Sequence, residues 1–227
     1  MTTWIVGDVH GCADELAALL DTIGIAAGDR LLLTGDLFDK GPDPSGVLRL
    51  VRETAARAAL GNHDVAVRDH GGAMLRGEPA PAGKRAPYLV ECLETLARAG
   101  DLEEAVALCA ALPLWIEGEG FRVVHAGLHP TLGTAGTDER LATLVREFPP
   151  GAPGARKWWQ QWQGEETIVF GHDARQGLVE RREDGRVRCV GLDTGCVYGG
   201  RLTAWSPELD RFVQVPARRV WHAGRAG

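Results

Sequence analysis

Short apolar runs recur along this chain, and each ends at a glycine or at a polar residue able to bind metal. Trp4-Ile5-Val6 leads into Gly7-Asp8-Val9-His10-Gly11, Leu31-Leu32-Leu33 is followed by Gly35-Asp36, and Ala58-Ala59-Leu60 leads into Gly61-Asn62-His63-Asp64. Further on, Val123-Val124 meets His125-Ala126-Gly127, and Ile168-Val169-Phe170 meets Gly171-His172. Runs of this length bounded by turn residues predict strands. Between them, Leu16, Leu19, Leu20 and Ile23 recur at helical spacing and stop at Gly24, while Val47, Leu48, Leu50 and Val51 follow Pro42-Asp43-Pro44 in a second helix. The early motifs stand about one strand–helix–strand crossover apart, so the spacing predicts parallel strands whose carboxyl ends lie at one level. On this reading Asp8, His10, Asp36, Asn62, His125 and His172 gather at the strand ends of one sheet.

The longer stretch from Asn62 to His125 carries helical pattern over Tyr88–Ala99 and Leu102–Ala111, punctuated by Gly71-Gly72 and Glu78-Pro79-Ala80-Pro81-Ala82-Gly83. It predicts a small helical cap, roughly 72–111, beside the active site. After His172 the pattern turns β-rich, over Val187–Val190, Leu202–Trp205 and Phe212–Val215, and predicts a second sheet packed on the first. The expected fold class is α/β, in a single domain spanning 1–227.

Composition narrows the class. With 44% hydrophobic residues over 227 positions, the chain can bury a substantial core. A net charge of −6 and a pI near 5.7 argue against a nucleic-acid binder held by phosphate contacts. Five cysteines form no CxxC pair and leave an odd count, which predicts buried, reduced thiols. The first residues run straight into a strand, and no apolar run approaches the length of a membrane span, so a cytoplasmic protein with no membrane partner is expected.

The clustered side chains point to metal chemistry. Asp8 and His10, two apart on an extended segment, share one side. The two oxygens of Asp36 can each bind an ion, Asn62 offers a carbonyl oxygen, and His125 and His172 offer imidazole nitrogens. A mixed oxygen and nitrogen set of this size suits two divalent transition metals. Ions about 3.5–4 Å apart can hold a bridging hydroxide and direct it at phosphorus. A lone Gly-Asp after a strand is usually a turn, but five such clusters in order after strands are not explained by turns.

These motifs resemble those of the calcineurin-type metallophosphoesterases, specifically the phosphoprotein phosphatase branch with Gly-Asp-x-His-Gly, Gly-Asp-x-x-Asp and Gly-Asn-His. The resemblance implies a β-sandwich flanked by helices. It implies one metal on Asp8, His10 and Asp36, a second on Asp36, Asn62, His125 and His172, and His63 as general acid paired with Asp39. Manganese is the first expectation for the ions, and cobalt, zinc, iron(II) and magnesium suit the same donors. His125-Ala126-Gly127-Leu128, Gly171-His172-Asp173-Ala174, Gly177-Leu178 and the run from Gly191 to Gly200 are similar to the symmetrical diadenosine tetraphosphatases and the ApaH-like phosphatases. That similarity, from Thr3 to about Val215, implies hydrolysis of dinucleoside polyphosphates, with diadenosine tetraphosphate cut symmetrically to two ADP. Lys40 stands where protein phosphatases usually carry arginine, and it binds phosphate as a point charge without the planar fork. Asp39, which many symmetrical tetraphosphatases lack, keeps open the alternative of a broad phosphomonoesterase or Ser/Thr protein phosphatase using the same dinuclear site. Lys84 and Arg85 in the cap, and Arg156 with Lys157, are further candidates for binding substrate. Trp158, Trp159 and Trp162 predict a helix packed into the core, and Asp193 a turn that holds strand ends.

Overall fold

Consecutive apolar residues in a strand alternate between its two faces, so an unbroken apolar run survives only where both faces are covered. The computed structural model, which describes residues 1–79, 82–83 and 86–224, has this arrangement. β1 (Thr3–Val6), β2 (Arg30–Leu33) and β3 (Arg57–Ala58) run parallel, connected by α1 (Ala13–Ile23) and α2 (Pro44–Glu53). Then come α3 (Asn62–Ala66), a π-type turn over Val67–Gly71, α4 (Gly72–Leu75), α5 (Ala86–Ala99) and α6 (Leu102–Ala111). The chain next builds β4 (Trp115–Glu117), β5 (Phe121–Val124), α7 (Glu139–Leu144), β6 (Glu147–Phe148), β7 (Arg156–Lys157), β8 (Thr167–Phe170), β9 (Val179–Glu183) and β10 (Arg186–Gly191). It closes with β11 (Arg201–Ser206) and β12 (Arg211–Pro216).

Two five-stranded sheets result, ordered β12-β11-β1-β2-β3 and β4-β5-β8-β10-β9, with β6 and β7 as a separate ribbon. Ile5, Leu32, Val123, Val169, Val190 and Leu192 fill the space between the sheets. Their strand neighbours face outward. Trp4, Val6, Leu31 and Leu33 pack on Leu16, Leu19, Val47, Leu93 and Leu96 of the helices, and Val124, Ile168, Phe170 and Cys189 pack on Trp158 and Trp162. α2 starts where Asp43 accepts the Gly46 N–H at 2.8 Å with Pro44 in the first turn, and α1 stops at Gly24 in the left-handed region.

Three expectations are corrected. The ligand motifs do not share one sheet: those after β1, β2 and β3 lie on the first, and those after β5 and β8 on the second. The β-rich tail also divides, since β10 pairs with β8 while β11 pairs with β1, in the register Ile5↔Trp205. An apolar pattern specifies strands but not their neighbours, and the long excursion after Asn62 is where the chain changes sheets. Trp158–Gln161 forms one 3-10 turn instead of a helix, although Trp158 and Trp162 are buried as the pattern requires. α5 and α6 bury Leu89, Leu93, Leu96, Leu102 and Cys109 in the same core as α1 and α2. The five cysteines are buried and unpaired.

Candidate active site

The loops after β1, β2, β3, β5 and β8 meet where the two sheets come together, and the backbone there is unusual. His10, Asp36, Lys40 and His172 all have positive φ, between 48° and 72°. Non-glycine residues adopt this region at a cost of about 1–3 kcal/mol each, which the surrounding structure must offset. Asp64 supplies part of that support. Its buried carboxylate accepts the N–H groups of Asp36 (2.8 Å), Leu37 (2.9 Å) and Gly61 (3.0 Å), tying the loops after β2 and β3 together. Asp8 ties the two sheets: it accepts the Thr34 hydroxyl at 2.9 Å and the His172 N–H at 3.0 Å.

Hydrogen bonds also fix which ring nitrogens face inward. His125 directs Nδ1 at the Thr34 carbonyl (3.0 Å), so Nε2 faces Asn62 Oδ1 at 3.2 Å and Asp36 Oδ1 at 3.4 Å. His10 directs Nδ1 at Asp39 (3.1 Å), leaving Nε2 3.5 Å from Asp36 Oδ2. His172 directs Nε2 at the Leu144 carbonyl (3.2 Å), which leaves Nδ1 for the centre, and its ring lies 5.0 Å from that of His125. Asp39 is shared: its second oxygen holds His63 Nδ1 at 2.5 Å.

The electrostatics fit a pair of divalent cations. Burial holds the His125 and His172 imidazoles below their ordinary pKa and, together with Lys40, brings His10 to about 4, so all three rings are neutral donors. Burial, with the Asp193 and Asp36 carboxylates, pushes Asp8 well above the usual range, as expected where negative charge is concentrated without a counterion. Asp8, His10 and Asp36 each offer a donor atom within 4.8 Å of the others. On the second side, the lone pair of His125 Nε2 meets two oxygen acceptors with no proton between them. Donors so placed are satisfied together only by a shared cation.

Glycines make this closeness feasible. A Cβ on Gly171 would overlap Asp8 Oδ1, and one on Gly61 would overlap Asp36 Oδ1. Gly171→Ala is expected to displace Asp8, lowering bound metal from two ions per chain to one or none while the circular dichroism spectrum stays native. Full metal content in that variant would show that Asp8 has room to move.

His63 and Lys40 complete the centre. Burial lowers the His63 pKa, but Asp39 and Asp36 outweigh it and hold the imidazolium above the ordinary histidine value. Lys40 opposes them, with Nζ 3.0 Å from His63 Nε2 and 3.1 Å from His10 Nε2. Burial likewise disfavours the Lys40 ammonium, and Asp39 and Asp36 more than restore it. Of the remaining candidates, Lys84 and Arg85 lie outside the described residues. Arg156 is placed away from the centre. Neighbouring side chains leave a strand on opposite sides, so Lys157 of β7 reaches Asp173 at 3.0 Å beside the centre. Arg156 lines a separate groove with Phe148, Gln161 and Trp162.

The calcineurin-like phosphoesterase profile matches residues 1–200. The chain belongs to the calcineurin-like phosphoesterases. Among this phosphoesterase's relatives, it is 33% identical to the asymmetrical bis(5'-nucleosyl)-tetraphosphatase PrpE of Halalkalibacterium halodurans, over 95% of this chain and 94% of that one. It is 31% identical to the symmetrical bis(5'-nucleosyl)-tetraphosphatase of Serratia proteamaculans, over 96% and 95%. A crystal structure provisionally named a diadenosine tetraphosphatase superimposes with a TM-score of 0.75 at 32% identity, covering 95% of this chain and 93% of that one.

Of the donors, His10, Asp36, Asn62 and His172 line a cleft of about 230 Å³. Its walls include residues that the motifs did not single out: Arg146, Arg175, Tyr88 and Tyr198. Arg146 lies on the loop after α7 and Arg175 just past His172, each in salt-bridge range of Asp173 (3.5 and 3.4 Å). Position on that loop, between two histidine motifs, was the available signal for Arg146. Asp193 also borders the cleft. It accepts the Gly195 N–H at 3.1 Å, the turn expected of it, and burial raises its pKa to about 6.

Proposed function

We propose that this phosphoesterase hydrolyses dinucleoside polyphosphates, cutting diadenosine tetraphosphate symmetrically to two ADP. The observation that carries this reading is the set of cations lining the cleft. Lys40 lies at His10 and His63, while Arg146 and Arg175 lie at Asp173 next to His172. A polyphosphate laid across the cleft meets positive charge along its length, whereas a monoester uses only part of it. The relatives named for symmetrical and asymmetrical cuts are nearly equal in identity, so the symmetrical cut rests on the Gly191–Gly200 run.

In this reading Asp8, His10 and Asp36 hold one ion, and Asp36, Asn62, His125 and His172 hold another, with manganese the first to try. When bound, such a pair supplies Lewis acidity, lowering the pKa of water and offsetting phosphoryl charge. Lys40, Arg146 and Arg175 orient the phosphates. The oxygen of water adds to phosphorus and gives up one proton to solvent, the bridging P–O bond breaks, and the leaving oxygen takes the proton from His63 Nε2. Lys40 Nζ lies 3.0 Å from that nitrogen, and a substrate phosphate gives the ammonium another partner. Nucleotide substrates place this work in the cytoplasm, and no described helix is long and apolar enough to cross a membrane.

A second reading is favoured by one feature, the 2.5 Å contact of Asp39 with His63. An acid so tightly oriented serves an alkoxide leaving group, and therefore a phosphomonoester or a phosphoserine protein. Incubating the manganese-loaded protein with diadenosine tetraphosphate, p-nitrophenyl phosphate and a phosphoserine peptide separates these readings. ADP as sole product, with kcat/KM at least a hundredfold above the esters, supports the first. AMP with ATP would move the cut, and ester cleavage with the dinucleotide untouched would overturn the reading.

A further inference from the structure

Three aromatic rings border the cleft without any part in holding metal or moving the proton. Tyr88, in the first turn of α5, lies 6.0 Å from the His63 ring. His222 lies 5.2 Å from Tyr88 and 6.0 Å from Tyr198, edge-on to both. Lys40 Nζ sits 5.9 Å from the centre of the Tyr88 ring and 5.5 Å from that of Tyr198. Each ring is half-buried, with part of its surface open to the cleft.

The rings come from three separated parts of the chain, and the third is actively held there. After β12 the chain turns back as a strap over 217–224. The N–H groups of Trp221 and His222 both donate to the Val197 carbonyl, at 3.1 and 3.0 Å. Trp221 Nε1–H and the Arg218 N–H both donate to Glu15 Oε1, at 2.8 and 2.9 Å. Glu15 is a carboxylate on α1 only 1% exposed. Burying a carboxylate is costly, and here its visible role is to fix the strap that carries His222. Trp221 of the strap, Tyr88 and Tyr198 also lean on the main core, yet Tyr88, Tyr198 and His222 all stop short of full burial.

We propose that Tyr88, Tyr198 and His222 form a nucleobase-stacking subsite, which takes the base of the substrate half that leaves past His63. This rests on the dinucleotide reading above. The ring series begins at Tyr88 beside His63, the proton donor to the leaving oxygen, and continues through His222 to Tyr198, with Lys40 against both tyrosines. A leaving nucleotide follows the same path: its phosphate lies at His63 and Lys40 and its base at the rings. Every nucleobase offers a π-face, so the subsite selects for a base over a bare phosphate chain, without reading which base it is. An anchored base also fixes how many phosphates separate it from the attacked phosphorus. The subsite is thereby the feature of this chain that chooses between a symmetrical and an asymmetrical cut. Glu15 is a positioning residue for it.

The test compares His222→Ala, His222→Phe and the unaltered full chain, all manganese-loaded. Calorimetry measures the affinity for ADP and for pyrophosphate, which carries the phosphates without the base. Losing one stacking partner is worth roughly tenfold in affinity. In His222→Ala, ADP is therefore expected to bind about tenfold more weakly, while pyrophosphate changes less than about twofold, and His222→Phe is expected to recover most of the loss. With diadenosine tetraphosphate, KM is expected to rise in His222→Ala by a similar factor with kcat little altered, and the ratio of ADP to AMP plus ATP to shift. Parallel weakening of ADP and pyrophosphate would reduce the rings to a structural role, and unchanged ADP binding would remove them from the site. If the unaltered protein leaves the dinucleotide intact, the functional reading fails by itself, and the ADP-over-pyrophosphate preference still decides the subsite.

Discussion

Asp36→Asn is expected to lower turnover of any phosphate substrate by about a thousandfold or more, and to reduce bound metal from two ions per chain to one or none. A factor of 10³ corresponds to about 4 kcal/mol of barrier, within what a metal centre supplies to phosphoryl transfer. The size follows from geometry. Asp36 faces both histidine sets, with Oδ2 3.5 Å from His10 Nε2 and Oδ1 3.4 Å from His125 Nε2. His125, His63, His10 and Lys40 overcome the effect of burial and keep its carboxyl ionised below the usual range. An amide removes the charge and one of the two equivalent oxygens, yet it fills the same volume, so the fold is retained. Metal analysis beside single-turnover kinetics checks this. A variant with two tightly bound ions and activity within tenfold of the unaltered protein would show that Asp36 does not bridge.

Asp39→Asn is expected to divide substrates by their leaving group. For a phosphoserine peptide, which expels an alkoxide, the loss should reach about 10²–10³, the usual contribution of a positioned general acid. For diadenosine tetraphosphate, which expels a stabilised phosphate anion, it should stay near tenfold. The pH profile gives an independent readout. Asp39 raises the His63 pKa against the effect of burial, so the protonated acid persists to higher pH than in a free histidine. Removing that carboxylate lowers the pKa, and the alkaline limb of the rate profile moves toward acid. Equal losses on both substrates with an unmoved alkaline limb would remove His63 from the role of acid. Because Asp39 also orients His10 at 3.1 Å, metal content must be measured in the same variant.

The central strands and their motifs were legible because they depend on local pattern. Glycine after an apolar run marks a strand end whether or not its partners are known, and the donors from Asp8 to His172 stand at such ends, although on two sheets and not one. What was not legible depends on pairing. Nothing near Val123 or Ile168 records that their strands belong to a different sheet from β1. Charge beside a tryptophan cluster, as at Arg156, is visible in a sequence, while the direction of a side chain on a two-residue strand is not. The tryptophans failed as a helix for a related reason. Spacing of i and i+4 satisfies one 3-10 turn followed by an extended residue as well as it satisfies a helix. Glu15 reads as an ordinary acidic residue in the first turn of α1, and only contact with Arg218 and Trp221 at the far end of the chain gives it a task.

The division of the donors between two sheets has a consequence for folding as well as for chemistry. Asp8, His10, Asp36 and Asn62 ride on one layer and His125 and His172 on the other, and beyond a few hydrogen bonds such as His172 N–H to Asp8 the space between the layers is filled by non-directional apolar contacts. Such contacts tolerate small sliding of one layer over the other, and coordination bonds do not. A pair of ions held in this seam would act as a rivet: ion binding and the alignment of the two layers would draw on one free energy, because whatever binds only the aligned form stabilises it by mass action. A substitution far from any donor that lets the layers slip would thus first be noticed as a weaker hold on metal.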